Sequence, residues 1–537
     1  MQEFSRRAFL GAAATVTAAG MIGLAGCASK GKAEDDRSEK NEVLVADETV
    51  EADILVVGLG ISGIMASTAA AKGGAKVLAI DAAEKMSETG GGTATAPAVF
   101  GSKEQAKANP AVPVTEQMAF QELYPLTHYQ ENGSLLREMI RCSGTCIDTA
   151  VAAGMPYMFA NMTVDASAPF KDKVGCIYKV RGEERTNIWE NMLKDAGVEM
   201  RFGLSAKIAL KNADGILVGI QCESGDGVVD IMAKKVILCA GGFISNPDMV
   251  TQYYAGANLI SCGRPRAKGD GTNIALSMDA QMGKNFSTSV NEFGGSNAKA
   301  SPMTARTAKE KCNSALRLQI LGLPVFDVRG SRFMDEGILN GHAMYSAEPL
   351  IRESTYYVLC DQAFIDRVKS EPYGNFIDTS EPTNVANMLA DMQLFDIEGD
   401  IDAAVSEGWA AKGSTYAEVG EVFGLDGLEE SVTQYNAFCA AGLDEQFYKD
   451  PQYLIPMTTA PYYLIEYNPA GYLSMGGIKV NEKCQALDAN NQVVDNLYVA
   501  GTDADLWSVP YVLAGSAHGF CQASGWLAGE SAAKARQ

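Results

Sequence analysis

Histidine is nearly missing from this chain: three of 537 residues, His128, His342 and His518. No C-x-x-C-H occurs either, so covalent attachment of a c-type haem is excluded. Cysteine is present but unpatterned. Of twelve, eleven follow Cys27, an odd number without a repeat. Cys142 and Cys146 stand four apart on an expected helix, a spacing that could seed a metal or cluster site. With no second close pair they read as buried thiols, and no metal site is expected. Basic residues are short as well, 44 Lys and Arg against 66 Asp and Glu, for a formal charge of −22. Removing residues 1–26, whose charges are Glu3, Arg6 and Arg7, leaves −23. Such a surface repels nucleic acid and anionic lipid. It suits a basic protein partner, though its plainest consequence is solubility. Beyond residue 26 no segment holds about 20 uninterrupted apolar residues, so the body is expected to be soluble.

What is present begins with a leader. Ser5-Arg6-Arg7-Ala8-Phe9-Leu10 reads as a twin-arginine export signal, followed by small apolar residues to position 26. Leu24-Ala25-Gly26-Cys27 reads as a lipoprotein cleavage box with Cys27 as the acylated residue, and residues 28–48 as a solvated tether. The expected location is the outer face of the cytoplasmic membrane, held by lipid on Cys27. The twin-arginine route moves folded proteins, which suits a chain that acquires a cofactor before it leaves.

Asp53-Ile54-Leu55-Val56-Val57 is an apolar run ending at Gly58-Leu59-Gly60-Ile61-Ser62-Gly63. A helix rich in alanine follows, then a strand over 75–80 closed by Asp81. Strand, glycine turn, helix, strand and acid stand at the spacing of a dinucleotide-binding βαβ unit. The glycines let the backbone approach a pyrophosphate at the helix N-terminus, and Asp81 is placed to accept from ribose hydroxyls. Further glycine blocks follow in order: Gly90-Gly91-Gly92-Thr93, the strand 235–239 with Ala240-Gly241-Gly242, Lys268-Gly269-Asp270-Gly271-Thr272, Gly501-Thr502-Asp503, and Gly515-Ser516-Ala517-His518-Gly519 before a last helix. Singly each is punctuation. In sequence they trace an extended cofactor reaching both chain halves, which suits FAD better than NAD.

In these blocks the chain resembles the fumarate reductase and succinate dehydrogenase flavoprotein superfamily, with 3-ketosteroid dehydrogenases as a sister branch. The likeness covers about residues 50–290 and 455–537. It implies an α/β fold: a Rossmann-like FAD-binding domain over 49–290 plus 455–537, with an inserted α+β capping domain over 291–454. Arg332-Phe333-Met334-Asp335-Glu336 matches the family's R-F-x-N-E motif, and Ser474-Met475-Gly476-Gly477 its T-M-G-G turn beside the flavin. The implied cofactor residues are Gly58, Gly60, Ser62, Gly63, Asp81, Gly91, Gly92, Thr93, Ala206, Gly241, Asp270, Gly501 and Ser516. No histidine lies in the early glycine block, so FAD is expected to be non-covalent. The implied chemistry is hydride transfer between flavin N5 and a C=C, with a protein acid supplying the proton.

The chain departs from fumarate reductases where they hold fumarate. Their proton-donating arginine, four residues after the glutamate, is Asn340 here. Tyr472-Leu473 replace a histidine pair, and Tyr511-Val512-Leu513-Ala514-Gly515-Ser516 replace an N-R-L-G-G-N block with its carboxylate-clamping arginine. Fumarate is therefore not the expected substrate. Tyr511 and Gly515 match the spacing with which the ketosteroid branch binds a substrate ketone, as an oxyanion-hole-like pair. That branch has a catalytic tyrosine where Asn340 stands, so the proton donor is open. His342 and Tyr345 are the nearest titratable candidates, each with a structural reading beside it. His518 is read as supporting the flavin, and Arg264 and Arg266, around Pro265, as having no site role.

The main expectation is an exported FAD-dependent ene-reductase for neutral or apolar substrates with a conjugated C=C, such as steroid-like enones, unsaturated lactones or phenolics. Its electrons would come from a membrane quinol-oxidising cytochrome or another donor. A second is a 3-ketosteroid dehydrogenase working toward desaturation. A third is a flavin-binding lipoprotein without catalysis.

Overall fold

The computed structural model describes residues 43–92, 97–108, 110, 114–159, 176–284, 286–288, 295–296, 314–341, 347–371, 375–376, 396–507 and 515–535. All belong to one unit, Val43–Gln537. The export motif, Cys27, most of the tether, Thr93, His342, Tyr345 and Tyr511 lie outside the described residues.

Strand β1 (Glu48–Val57) begins at the surface and ends buried, its charges giving way to Ile54, Leu55, Val56 and Val57. Such an unbroken apolar run fits a strand covered on both faces. Helix α1 (Ile61–Lys72) is buried from Ile61 to Ala70, which explains its small side chains and lack of a polar face. β2 (Val77–Ile80) lies parallel to β1, from Ile54 opposite Val77 to Val57 opposite Ile80. The same sheet takes β3 (Glu199–Arg201), β4 (Ser205–Lys211), β5 (Leu217–Ser224) and the long β6 (Gly227–Leu238). A short helix, α2 (Asp270–Ser277), starts within the expected glycine block itself.

A second sheet is built on β7 (Tyr356–Asp361), β8 (Ala410–Gly413) and the central β9 (Tyr462–Gly471). β9 pairs antiparallel with β7 on one side and β8 on the other. Its last residues pair with Ile260–Ser261 and its Asn468 and Pro469 with Gly295–Ser296. β9 therefore ties the stretch 356–413 to chain on the far side of it. The first sheet is completed by β10 (Gln485–Leu487) and β11 (Val493–Val499), giving the order β10-β11-β6-β1-β2-β3, with β5 and β4 added beside β6. β11, β6, β1, β2 and β3 run parallel. The mixed α/β architecture expected from the sequence is the one found.

The last helix, α3 (Ser516–Lys534), packs against α1 backbone to backbone. A Cβ at Gly525 would lie 2.1 Å from the Ser62 carbonyl oxygen, and one at Gly529 2.1 Å from that of Ala66. The steps of four place both glycines on one helical stripe, facing the matching stripe of α1. Among the described residues the first and last helices thus share one interface on the face of the parallel sheet. Among the described residues no helix is long and apolar enough to cross a membrane.

Arg332 and Glu336 of the R-F-x-N-E-like motif are spent on a buried charge cluster. The Arg332 guanidinium donates to both Glu336 oxygens at 2.8 Å and to Asp444 Oδ2 at 2.8 Å. Lys449 Nζ lies 3.2 Å from Glu336 Oε2. The Lys449 and Arg332 charges hold the Glu336 carboxyl below its ordinary value against the opposing effect of burial. The cluster fixes the turn that leads into the short helix Ile338–Gly341, where Asn340 sits.

Candidate active site

The carboxyl ends of β1, β6 and β11 form one edge, where a parallel α/β sheet binds ligands. Gly58 N–H donates to Ile80 O at 2.7 Å, Cys239 N–H to Val57 O at 2.8 Å and Ala500 N–H to Leu238 O at 2.9 Å. Three of the glycine blocks seen in the sequence therefore meet here, although they lie far apart along the chain.

The glycines divide by role. Gly58 has φ +97°, and a Cβ there would strike Cys239 O at 2.2 Å; one at Gly63 would strike Gly58 O at 1.7 Å. These two make the turn itself possible. A Cβ at Gly60 would meet only the Gly90 Cα, at 3.9 Å, and one at Gly241 would meet nothing within 4 Å. Gly60 and Gly241 leave open backbone at the sheet edge. Gly60 is also the N-cap of α1, and Gly515, at φ +80°, is the N-cap of α3. Neither glycine offers a side-chain acceptor, and neither first turn carries an acidic residue. Elsewhere Thr115, Asn132, Asn246, Asp361 and Thr415 cap their helices through side chains. Two long helices thus bring largely buried N-termini without a side-chain cap to the site, an arrangement suited to anionic and electron-rich ligand groups.

Asp503, fully buried, holds the blocks together. Its carboxylate accepts from the N–H groups of Ala240, of Gly241 at 3.2 Å and of Gly242 at 3.1 Å, and lies 3.5 Å from Thr272 Oγ1. Burial pushes the group up to about 6 despite these donors. Ser474 Oγ accepts from Phe243 N–H at 3.1 Å, and Gly477 packs against Asp503 O, so the Ser474–Gly477 turn joins the same junction. Asp503 was not among the residues expected from the sequence. Its partners are main-chain groups from a distant segment, which leave no side-chain signature.

Asp81 accepts from Leu59 N–H at 2.7 Å and Ala83 N–H at 2.8 Å, one on each oxygen, and each oxygen keeps further acceptor capacity. Ala206 lies on β4, two residues past Leu204, whose N–H donates to Asp81 O at 3.1 Å. Ser62 turns its hydroxyl to Cys239 Sγ at 3.2 Å, behind the turn. Gly91 and Gly92 lie in the short turn Gly90–Gly92, over Gly60; Gly91 accepts from Trp189 Nε1 at 3.2 Å. Gly501 packs on Ser62, and Ser516 opens α3. Asp270 begins α2 and is exposed. Arg264 has a scaffolding part that the sequence did not suggest: it donates to Glu88 O at 2.9 Å and Thr89 O at 2.7 Å, anchoring the early glycine block. His518 Nε2 lies 2.8 Å from Tyr178 OH, and burial pushes the imidazole down to about 3, so it stays neutral. Cys142 and Cys146 are both buried in the helix Gly133–Ala152.

A family model described as "FAD binding domain" matches residues 53–526. The chain belongs to this FAD-binding family. It is 26% identical over 463 residues to the vinyl phenol reductase of Lactiplantibacillus plantarum, covering 84% of this chain and 90% of that one. Identity to the fumarate reductase (cytochrome) of Shewanella frigidimarina is 24% over 508 residues, 93% of this chain and 80% of that one. In fold it is similar to a 3-ketosteroid delta1-dehydrogenase from Sterolibacterium denitrificans, with a TM-score of 0.65 at 16% identity over 90% of this chain and 100% of that one.

The helix N-termini without side-chain caps and the space left beside Gly60 and Gly241 fit FAD. Gly60 and the first turn of α1 would receive the pyrophosphate, Asp81 the adenosine ribose, and the first turn of α3 the flavin end. This member of the family is an FAD-dependent oxidoreductase acting on CH–CH bonds. Bound FAD supplies a two-electron carrier able to pass hydride to or from carbon. The chain's own part is to hold that carrier against the sheet edge, exclude water and bring a proton to the neighbouring carbon.

Proposed function

We propose that the protein is an exported ene-reductase that reduces a C=C conjugated to a carbonyl or aromatic system in a neutral or apolar substrate, and that fumarate is not its substrate. The observation that carries this reading is the commitment of the arginines around the site. Arg264 is bound to two backbone carbonyls, Arg266 lies 3.7 Å from the Glu88 carboxylate, and Arg332 is locked between Glu336 and Asp444. A dicarboxylate calls for charge-assisted clamping. Arg264 and Arg332 are thus spent on the chain itself, Arg266 is half-exposed beside Glu88, and Asn340 and the 511–516 block supply no cation. The vinyl phenol reductase likeness, over 84% of this chain and 90% of that one, supports a substrate without two carboxylates.

The deciding experiment is a substrate panel with reduced methyl viologen as donor: 4-vinylphenol, a 4-ene-3-ketosteroid, an unsaturated lactone and fumarate. Turnover of one of the first three with no turnover of fumarate is expected; turnover of fumarate alone overturns the reading. Tyr511→Phe and His342→Gln run beside wild type test the expected substrate contacts. Retained activity in both removes those residues from the site without touching the FAD assignment. A second reading, 3-ketosteroid desaturation, rests on the Tyr511–Gly515 spacing. Anaerobic assays of saturated 3-ketones with an artificial acceptor separate it from the first.

The twin-arginine segment and Cys27 motivate the location, outside the cytoplasmic membrane on a lipid anchor. A quinol-oxidising cytochrome in that membrane would then supply electrons. Cys27→Ser is expected to move the protein from the membrane fraction to the soluble exported fraction. An unchanged distribution would end the lipid assignment.

A further inference from the structure

The reduction proposed above consumes a proton, and the position that donates it in fumarate reductases holds Asn340. We propose that Glu348 is the acid that supplies this proton, with Ser287 as its positioning residue. The proposal rests on the ene-reductase reading of the same site.

Glu348 lies on the short helix Ala347–Glu353, eight residues past Asn340. Its Oε1 accepts from Ser287 Oγ at 2.6 Å. Ser287 is fully buried and sits directly opposite Met475 in the strand pair that carries the Ser474–Gly477 turn. That turn is bound to Phe243 N–H through Ser474 and to Asp503 O through Ile478 N–H at 2.8 Å, so it belongs to the junction of the glycine blocks. Glu348 therefore stands one strand away from the junction, on a chain segment separate from those that cradle the cofactor. Tyr254 OH donates to Ser287 O at 2.6 Å, which holds the serine backbone while its hydroxyl orients the carboxyl.

The surroundings favour the protonated acid. Burial raises the Glu348 carboxyl above its ordinary value, and the Ser287 hydroxyl only partly opposes this. Burial, and to a lesser extent the charge of Glu348, raises the Tyr254 hydroxyl above its ordinary value, so Tyr254 stays neutral beside it. On its own helix, Arg352 and Glu353 pair with each other at 3.1 Å. Glu466 on β9, the sheet strand against this helix, lies 3.5 Å from Tyr357 OH. Glu348 is only half-buried, which leaves it a route to water for recharging.

The step balances. One carbon of the C=C would gain a hydride, the two electrons being what bound FAD, reduced by the external donor, would supply. The second carbon gains a proton as the Glu348 O–H bond breaks and a C–H bond forms. The carboxylate left behind takes its next proton from water.

The test uses the FAD-loaded protein with reduced methyl viologen and whichever of 4-vinylphenol, a 4-ene-3-ketosteroid or an unsaturated lactone the wild type reduces. Glu348→Gln is expected to lower kcat by about 100-fold or more, with KM and bound FAD little changed, and Glu348→Asp to recover much of the loss. Ser287→Ala should move the alkaline limb of the kcat profile to higher pH, because the lost hydrogen bond had favoured the carboxylate. Glu348→Gln within about threefold of wild type, well below the usual worth of an acid, would overturn the proposal. An Asp variant as inactive as the Gln one, or an unmoved limb in Ser287→Ala, would do the same. If Glu348→Gln retains no FAD, the Asp and Ser287 variants decide. A wild type that reduces none of the three probes overturns the ene-reductase reading itself, and this proposal with it. Normal turnover in Glu348→Gln overturns the proposal alone.

Discussion

Asp503 accepts a hydrogen bond from the backbone N–H of Gly242 at 3.1 Å, joining the end of β11 to the end of β6. The contact matters beyond its own energy, because the same carboxylate serves Ala240 and Gly241. Asp503→Asn keeps one acceptor oxygen and turns an amide N–H₂ toward main-chain donors. Leaving buried donors without partners costs about 1–3 kcal/mol each. A lower Tm and at least a tenfold weaker hold on FAD are expected, by thermal denaturation and flavin release. Wild-type FAD affinity in the variant would show that the junction tolerates loss of this clamp.

Glu131 and Asp505 should make the protein less stable at alkaline pH. Glu131 Oε1 is buried with no hydrogen-bond partner, and burial, then the charge of Asp505, pushes Glu131 up to about 8. Burial pushes Asp505 up to about 7, with Lys479 opposing. Both folded-state values exceed the unfolded ones, so the folded protein holds the protons more tightly. The stability they confer is full below about pH 4 and is lost as pH rises through 7 and 8. Each tenfold difference in proton affinity between the folded and unfolded states is worth about 1.4 kcal/mol. Glu131→Gln should flatten much of that decline. Urea midpoints measured between pH 5 and 9 check it, and parallel curves for variant and wild type would contradict it.

The Arg332 cluster should respond as a whole. Arg332→Ala leaves Glu336 and Asp444 buried with Lys449 as the remaining cation, a loss of about 3–5 kcal/mol for a broken buried pair. We expect a large fall in the urea midpoint. If stability holds, the cluster is looser than its 2.8 Å contacts indicate.

Gly525→Ala would place a methyl 2.1 Å from the Ser62 carbonyl oxygen, a main-chain atom that cannot turn aside. Overpacking of this kind costs about 1–3 kcal/mol. The displacement would also tilt the N-terminus of α1, so flavin retention should fall with Tm. Unchanged flavin content beside a lowered Tm would separate packing from cofactor binding.

The first βαβ unit was legible because its signals are local. Gly58, Gly63 and Asp81 lie within one βαβ unit, where spacing alone constrains geometry. Asp444, Lys449 and Glu348 were not legible, since each acts on groups distant in sequence and nothing in their neighbours marks it; Asp503 stood inside a glycine block that the sequence showed, but its clamp on the end of β6 did not show. Ser62 shows the same limit from the other side. It sits inside the glycine motif, yet its hydroxyl turns to Cys239, a residue brought near only by β6. The division of glycines into those that pack, such as Gly63, and those that open a cradle, such as Gly60 and Gly241, also needed the neighbours in place.

The pairing of α1 with α3 has a consequence for the order of synthesis. The glycine turn leaves the ribosome well before the helix that buttresses it through Gly525 and Gly529. A tight cofactor seat cannot close before that helix has been made and has packed on α1. An amino-terminal export signal would be in view throughout that interval. A translocation route that takes only finished proteins would keep such a chain inside until its seat had closed around FAD.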